Sequence, residues 1–275
     1  MQVYSRTSTI LDRLIYYQTL LYLSSIIVVW NNPTVAPPII PASHLLPVPI
    51  QILIQPRNSM NNRFLPFPSQ KTSCTIAMDD DWDFSHAKII RAIRIWQTRA
   101  FSRLVGFRQQ ARIHIRRPQH TPAISTTLMA LKVSGISPTA VHAKTSVLSQ
   151  YAYVKLVHGA ASILMPSATV YHVQYHHMYT HRLPSAARAV IDELTNCDDI
   201  LFNMMVANAT GAGPVVLEDG GKVEKALVFE GDGKGLWKDN EHWAKRGWCM
   251  NYFAENIFFG MPLKVEKIGE FDRLL

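Results

Sequence analysis

Three consecutive carboxylates, Asp79, Asp80 and Asp81, follow an apolar run that ends at Met78. Adjacent like charges repel one another, and carboxylates avoid burial unless they are paired or bound to a metal. A hard divalent cation prefers oxygen ligands, and it can bridge a carboxylate to a diphosphate and stabilise its departing charge. The triplet, a DXD motif, therefore indicates transfer of a sugar from a nucleotide-sugar. Three aspartates in a row are more often a solvated loop or a helix start than a metal site, and the position after a predicted strand raises the odds of the metal site.

A second acidic pair, Asp198 and Asp199, lies in the segment NCDDI of residues 196–200. One interpretation is a helix N-terminus, where each carboxylate contributes from a few tenths to about 1 kcal/mol. The other is a carboxylate over the reacting face of a sugar. The spacing alone favours the helix N-terminus.

The segment RNSMNNR, residues 57–63, combines two arginines with three asparagines. Guanidinium and amide groups suit a diphosphate and the edges of uracil or ribose. A solvated loop explains the composition equally well.

The histidine-rich segment YHVQYHHMYTH, residues 171–181, places His172 and His176 four residues apart. It lacks the glutamate of a HExxH motif, so surface or half-buried histidines are favoured over a zinc site. The sequence also contains no Gly-x-Ser-x-Gly elbow, P-loop or Gly-x-Gly-x-x-Gly motif.

Composition restricts the partners more than the fold. The 275 residues are 48% hydrophobic and can bury one large domain or two small ones. The net charge of +8 and the pI near 9.4 suit a nucleotide, a polyanion or a membrane surface. No zinc-finger spacing or RNA-recognition signature is present, so we expect no nucleic-acid partner. The three cysteines form no CxxC pair, and one disulfide with one free thiol is compatible with this count.

Alternating helices and strands must position these side chains. The pattern predicts a helix over residues 7–22, a helix capped by Ser85, and strands at residues 26–30, 50–54, 75–78 and 103–107. Such alternation is typical of an α/β fold with a mostly parallel central sheet flanked by helices. Ligands bind at the carboxyl ends of such strands, where the aspartate triplet and the asparagines 31 and 32 lie.

The remaining segments carry fewer signals. Residues 14–30 are uncharged, but a helix followed by a buried strand explains them better than a membrane span. Residues 108–150 are predicted to be a divergent, poorly ordered insert. Further on, Ser185 is predicted to cap a helix, and a second helix begins in the acidic segment NCDDI and ends at Gly211. Residues 211–235 are predicted to be a loop.

Taken in order, the motifs resemble the exostosin-type glycosyltransferase domain of the GT64 family, which includes exostosin-like N-acetylhexosaminyltransferases and plant family 64 proteins. The resemblance covers residues 1 to about 107 and about 153 to 263. The string NNRFLPF and the pairing of VVWNN with the aspartate triplet are specific to it. Other blocks are MQVYSRTSTIL, RIWQ, LVGF, HGAAS, VIDELTNCDDILFNMMVA, GWCMNYF and GMPL.

The resemblance implies a single GT-A-like domain over residues 1–275, the fold of nucleotide-diphospho-sugar transferases. It implies a hexosyltransferase of EC class 2.4 that moves N-acetylhexosamine or another hexose from a UDP-sugar, with Mn²⁺ and with retention, to a glycan or glycolipid acceptor. Family members work in the lumen of the Golgi or endoplasmic reticulum, and membrane association is expected only through an anchor that this chain lacks.

The resemblance also assigns residue roles. The nucleotide-sugar would be bound by Gln2, Arg6, Asn31, Asn58, Arg63, Asp79 and Asp80. The metal ligand would be Asp81, and the acceptor side would include Asn196 and Asp198. The carboxylate at the anomeric centre and the cation at the diphosphate would be Asp199 and Arg246. A disulfide would join Cys197 to Cys249 and leave Cys74 free.

Departures from the family leave other functions open. Met1 falls within the family's first strand, so we expect that strand to be missing. QVYSR replaces QTYNR, and residues 108–150 lack the family's acceptor loop. The alternatives are a catalytically impaired GT-A-fold protein that acts as a binding or scaffold module, and a basic polyanion-binding module.

Overall fold

The computed structural model describes residues 1–4, 7–40, 48–80, 84–117, 150–155, 159–218 and 241–272. The helices of these ranges are α1 (Thr7–Gln18), α2 (His86–Arg99), α3 (Gln174–His181), α4 (Ser185–Leu194), α5 (Asp198–Thr210) and α6 (His242–Asn256). The strands are β1 (Gln2–Val3), β2 (Ile26–Trp30), β3 (Ile50–Ile54), β4 (Cys74–Ala77), β5 (Val105–Phe107), β6 (Ala111–Arg116), β7 (Tyr151–Lys155), β8 (Ala160–Ala161), β9 (Ile163–Leu164), β10 (Thr169–His172), β11 (Val215–Leu217) and β12 (Glu266–Lys267). The α/β class is as predicted.

The first sheet is parallel and carries the donor-side residues of the prediction. β1, β2 and β3 are neighbours in that order, and both pairs are parallel. Gln2 also forms an isolated parallel bridge with Asp79, just beyond β4. The residues that follow β2 and β4 therefore lie at the same edge of the sheet, because parallel neighbours present their carboxyl ends together.

The second sheet differs from the prediction of one mostly parallel central sheet. Its strand order is β11-β5-β10-β4, and only β11 and β5 are parallel. β10 lies between β4 and β5 and is antiparallel to both. Two further sheets, β7-β6-β9 and β12-β8, are antiparallel throughout. The described strands thus divide among several small sheets, because a strand from the second half of the chain inserts between two strands of the first.

The helix boundaries follow capping chemistry in most places. The Ser85 hydroxyl accepts the Lys88 N–H at 3.4 Å and begins α2, as predicted. Gly211 ends α5 with φ +68°, a conformation that suits a residue without Cβ. Two boundaries were wrong. α1 ends at Gln18 rather than near residue 22, and Ser185 is the first residue of α4 rather than its cap.

Two loop predictions meet the described residues only in part. Residues 108–117 were assigned to a poorly ordered insert, but they contain a 3-10 turn and the six-residue strand β6. Alternating burial at Ala111 and Ile113 explains why β6 packs against β7 and β9. Residues 118–149, and residues 219–235 of the predicted glycine-rich loop, lie outside the described residues.

The uncharged segment 14–30 contains the end of α1, a turn and β2, as predicted. Within the described ranges, we find no helix with the length and apolar character needed to cross a bilayer.

Two apolar cores flank the donor-side edge. The first packs α1 and α2 on strands of the first two sheets and includes the buried Trp30 and Trp96. The second collects α3 to α6, with Phe202 stacked on Phe64 at 4.1 Å between ring centroids. The 3-10 helix Met60–Phe64 contributes Phe64 to the second core and Arg63 to the polar edge. This short segment therefore connects the two halves of the molecule.

Candidate active site

A backbone carbonyl organises the amides at the edge of the first sheet. The side-chain amides of Gln2 and Asn31 both donate to the Ser59 carbonyl oxygen, at 3.0 and 2.9 Å. Asn62 donates to the Asn31 side-chain oxygen at 2.9 Å. The Ser59 hydroxyl accepts the Asn61 N–H at 3.1 Å and so caps the 3-10 helix. Of the two interpretations of residues 57–63, the solvated loop does not hold from Ser59 onward, where the chain forms a buried, hydrogen-bonded turn.

Arg63 connects this edge to two carboxylates. Its Nε donates to the Gln2 Oε1 at 2.6 Å, and its Nη1 lies 2.6 Å from the Asp79 Oδ1. The same Nε lies 3.4 Å from the Asp198 Oδ2. Burial alone lowers the pKa of a guanidinium, but the two carboxylates outweigh it and raise the pKa of Arg63. Arg63 is therefore a fixed positive charge between the first sheet and the start of α5.

Both carboxylate oxygens of Asp79 contact protein groups. Its second oxygen accepts a hydrogen bond from the Ser167 hydroxyl at 2.5 Å. Burial raises the pKa of this carboxyl, but the Arg63 charge and the Ser167 hydrogen bond lower it further, so the net shift is downward. Each oxygen of Asp79 thus accepts one contact from the protein and keeps a second lone pair for a ligand.

The rest of the triplet decides whether a cation fits here. Asp80 is half-buried, and Asp81 lies outside the described residues. Carboxylate oxygens suit a hard cation such as Mn²⁺, so a cation at this triplet would take its ligands from these two carboxylates. Within the described ranges, no group of three or more histidines, cysteines or carboxylates is arranged to hold a metal ion.

A second buried ion pair lies at the start of α5. Asp199 accepts a short hydrogen bond from the Arg246 Nη2, and both residues are buried. The Arg246 Nη1 donates to the Asn196 Oδ1 at 3.1 Å, and its Nη2 also donates to the Tyr153 hydroxyl at 2.8 Å. Its guanidinium carbon lies 4.4 Å from the centre of the Tyr153 ring. Arg246 is thereby held by a carboxylate, an amide and an aromatic ring.

Opposing electrostatic effects act on the carboxyl group of Asp198. Burial and the adjacent Asp199 raise the pKa of this carboxyl to about 6, against the opposing effects of Arg63 and Arg246. Its Oδ2 is buried and accepts no hydrogen bond, with Arg63 as its nearest cation. Two arginines thus share three carboxylates, Asp79 included, in one buried region.

A disulfide holds the two segments of this ion pair together. Cys197 is bonded to Cys249, as predicted, and Cys74 is a free cysteine. Cys197 lies directly before Asp198, and Cys249 lies in α6 one turn after Arg246. The Asn196 side chain also accepts the Cys197 N–H at 2.8 Å. The Cys197 backbone is left-handed, with φ +76°, so the disulfide fixes a sharply turned helix start.

The family model described as the glycosyl transferase family 64 domain matches residues 1–127 and 132–275. The chain belongs to this glycosyl transferase family. Its similar relatives include exostosin-1b of Danio rerio, 28% identical over 261 residues, and exostosin-1 of Bos taurus and of Mus musculus, each 27% identical over 263 residues. Each alignment covers 94% of this chain and 30% of the relative. The chain therefore spans about a third of the length of these relatives.

The family 64 domain brings most of the predicted site residues into one network. Its members are Gln2, Asn31, Arg63, Asp79, Asn196, Asp198, Asp199 and Arg246. Asp80 follows this network directly, whereas Asn58 is exposed beside it. Arg6 and Asp81 lie outside the described residues. The network is a structural fact, and the binding roles of its members remain predictions.

Several residues of the network escaped sequence reasoning. Ser59 and Asn62 stood inside the segment RNSMNNR, where a serine before a helical turn is a recognisable cap signal. Ser167 and Tyr153 gave no such signal, because their roles depend on Asp79 and Arg246, which lie 88 and 93 residues away in the sequence. Asp192, on α4, accepts from Asn61 at 2.7 Å and supports the turn from behind.

Among the described histidines, His242 contacts the network, with its Nδ1 3.2 Å from the Asn196 side-chain nitrogen, whereas the contacts of His176 lie in the core. His176 was expected at the surface or half-buried, but it is fully buried, with Nε2 3.0 Å from the Tyr171 hydroxyl. Burial lowers the pKa of His176 to about 3, so it is neutral. The expectation failed because α3 turns this side chain into the core, against the ring of Phe67.

A cavity of about 410 Å³ lies between α1, α2, β2 and β4, with Gln2 and Arg63 among its lining residues. Most of the other lining side chains are apolar, such as Leu14 and Ile93. Such a mostly apolar lining does not suit a nucleotide diphosphate.

Proposed function

We propose that this domain transfers a hexose or an N-acetylhexosamine from a UDP-sugar to a glycan or glycolipid acceptor, with retention and with Mn²⁺. The observation that carries the proposal is that Arg63 joins Gln2 and Asp79 to Asp198, which directly precedes Asp199 of the buried pair with Arg246. It brings donor-type groups and a charged pair suited to a reacting centre into one site. Family membership supports the same chemistry.

The donor side would use the carboxyl ends of the first sheet. The amides of Gln2 and Asn31 and the guanidinium of Arg63 are held in place before any ligand arrives, so little ordering is required on binding. Amide and guanidinium groups match the edges of uracil and the oxygens of a diphosphate. Asp79, which stays ionised, would hold Arg63 in this orientation and accept from a ribose or sugar hydroxyl.

The reacting side would use Asp199 and Arg246. Asp199 is a buried carboxylate paired with a guanidinium, so it can stabilise positive charge at an anomeric carbon or attack that carbon. Arg246 is positioned by Asn196 and Tyr153 and can offset the charge of the departing diphosphate. This pair is compatible with a front-face route and with a covalent intermediate.

The metal would be held by Asp81, with Asp80 beside it. When bound, Mn²⁺ would act as a Lewis acid that neutralises the diphosphate.

The proposal also covers the acceptor and the cellular compartment. The exostosin relatives are about three times as long as the matched segment, so their own substrates do not transfer directly to this chain. We propose an acceptor that enters beside Asn196 and Asp198. We also propose a location in the lumen of the Golgi or endoplasmic reticulum, where the disulfide between Cys197 and Cys249 would persist.

The deciding experiment is a calorimetric titration of the purified chain with UDP, with and without Mn²⁺. We expect binding that requires Mn²⁺ and that Asp81→Ala abolishes. Asp12→Ala is the matched control, because Asp12 is an exposed aspartate on α1. Metal-dependent binding that survives Asp81→Ala would refute the metal assignment.

Hydrolysis of UDP-sugar without acceptor tests the chemistry separately. An active domain should release UDP slowly, and Asp199→Asn should reduce this rate by at least 100-fold, in the range of losing one electrostatic group at a reacting centre. UDP binding without any hydrolysis would favour the catalytically impaired alternative, in which the fold acts as a binding module.

A further inference from the structure

An aromatic pair extends the catalytic network toward solvent. Beyond Arg246 lies the ring of Tyr153, and beyond Tyr153 lies the indole of Trp243, with 5.9 Å between the two ring centroids. Tyr153 is 8% exposed and Arg246 is 5% exposed, whereas Trp243 is 41% exposed. Trp243 is therefore the solvent-facing end of a series of contacts that begins at Asp199.

The position of this pair is fixed by the backbone. The Asn251 side chain accepts the Tyr151 N–H and donates to the Tyr151 carbonyl oxygen, each at 2.9 Å. This paired contact attaches strand β7 to helix α6, because one amide side chain replaces a neighbouring strand. Tyr153, two residues later on the same face of β7, is consequently held against both Arg246 and Trp243 of α6.

Lys155 orients the indole. Its Nζ lies 5.6 Å from the centre of the Trp243 ring, within the range of a cation–π contact. A large aromatic side chain that is held in one orientation and remains open to solvent loses little conformational freedom when it binds a ligand. Single exposed apolar residues are common on protein surfaces and need no functional explanation. Trp243 differs because Tyr153 connects it to the buried pair of Asp199 and Arg246.

We propose that Trp243 is a stacking platform for a pyranose ring of the acceptor, with Tyr153 as its positioning residue. The C–H groups on one face of a pyranose are apolar and pack on an indole, while the hydroxyls at the ring edge stay hydrated or reach polar neighbours. The inference deepens the proposed function, because it names the residue that selects the acceptor.

Connectivity assigns the platform to the acceptor rather than to the donor. The donor-side groups Gln2, Asn31 and Asp79 reach the charged pair through Arg63, whereas Trp243 reaches it from the other direction through Tyr153. The donor-side contacts therefore end at Asp198, beside Asp199, and the aromatic contacts end at Arg246, so the two sets of groups reach the charged pair through different residues.

The test measures sugar binding directly, with methyl glycosides of glucose, galactose, N-acetylglucosamine and glucuronic acid as probes. Saturation-transfer NMR on the full chain, in metal-free buffer, reports which glycoside binds and its Kd. We expect at least one glycoside to bind, with a Kd that rises at least tenfold in Trp243→Ala. Trp243→Phe, which keeps an aromatic face, should raise the Kd less than Trp243→Ala does.

The control variant is Phe259→Ala, because Phe259 is a strongly exposed aromatic residue outside the network. It should leave the Kd unchanged. The inference is overturned if no glycoside binds the wild-type chain, or if Trp243→Ala and Trp243→Phe both keep the Kd within twofold. A parallel UDP titration separates the two proposals, since loss of UDP binding in the wild-type chain contradicts the proposed function but leaves the glycoside measurement readable.

Discussion

At the scale of single residues, the site depends on one arginine that serves three acceptors. Arg63 contacts Gln2, Asp79 and Asp198, and each of these acceptors belongs to a different element or turn. A lysine has one nitrogen and cannot reproduce this fork-shaped geometry. The same residue that orients the donor-side groups therefore also neutralises the start of α5.

Replacing Arg63 should be costly for stability. In Arg63→Met the buried Asp198 and the half-buried Asp79 lose their cation, and we expect the free energy of unfolding to fall by about 3–5 kcal/mol. Urea unfolding at pH 7 measures this loss. Arg57→Met is the matched control, because Arg57 is an exposed arginine that pairs with Asp192 at 3.4 Å and should cost no more than about 1 kcal/mol. Equal losses in the two variants would contradict the central role of Arg63.

Asp198 should give the stability a distinctive pH dependence. Its folded pKa, about 6, lies above the ordinary value of 3.8, so the native state binds more protons than the unfolded state between these values. Stability that this residue supports at low pH is therefore lost as the pH rises from about 4 to 6. Because Asp198→Asn lacks this titration, the wild-type chain should lose stability relative to this variant across that window.

Urea unfolding of both proteins at intervals from pH 4 to pH 7 provides the comparison. Other titrating groups are common to both proteins and cancel in the difference. If the free energy of unfolding of the wild-type chain minus that of Asp198→Asn stays constant or increases with pH, Asp198 does not have a raised pKa in the folded chain.

At the scale of elements, the site is the meeting of two short segments, the 3-10 turn Met60–Phe64 and the start of α5. Neither segment is stable alone, since a turn of five residues and a helix N-terminus both depend on packing. The turn is supported by Asp192 of α4, and the helix start by the disulfide to α6.

Removing the disulfide should loosen the helix start. The bond closes a sequence separation of 52 residues, and its loss in Cys197→Ser combined with Cys249→Ser should lower the free energy of unfolding by about 2–4 kcal/mol. Denaturant unfolding measures the change, and a reducing agent should bring the wild-type chain to a similar value. Cys74→Ser, which touches no disulfide, is the control. Little difference between the double variant and the wild-type chain would mean that packing alone fixes Asp198 and Asp199.

At the scale of the whole molecule, the two apolar cores meet at the polar network. The first core underlies β1, which begins at Gln2, and β2, which ends just before Asn31, whereas the second core underlies α5 and α6. A donor that contacts groups from both cores would stabilise them together.

This arrangement predicts a single, ligand-dependent unfolding transition. UDP at 100 times its Kd, with Mn²⁺, should raise the free energy of unfolding by about 2.7 kcal/mol. Tryptophan fluorescence and far-ultraviolet circular dichroism should report the same midpoint before and after addition. Two separated transitions, with only one moved by UDP, would show that the cores unfold independently.

The sequence by itself determined the local elements. The β-branched run of β2, the Ser85 cap of α2 and Gly211 at the end of α5 all appear where patterns of a few residues predicted them. These features depend on interactions between near neighbours, which spacing and residue type encode directly. The ordered motifs also identified the family, which the family model confirmed. The disulfide was implied by that resemblance rather than by the spacing of the cysteines.

The tertiary structure decided how these elements meet. The insertion of β10 between β4 and β5 replaced the predicted mostly parallel sheet, because strand order is set by long-range pairing that no local pattern records. The partners of Asp79, Arg63 and Arg246 lie tens of residues or more away in the sequence, so only folding shows that one arginine holds Asp79 and another holds Asp199. The platform of Tyr153 and Trp243 arose in the same way, since neither residue is distinctive until β7 docks on α6.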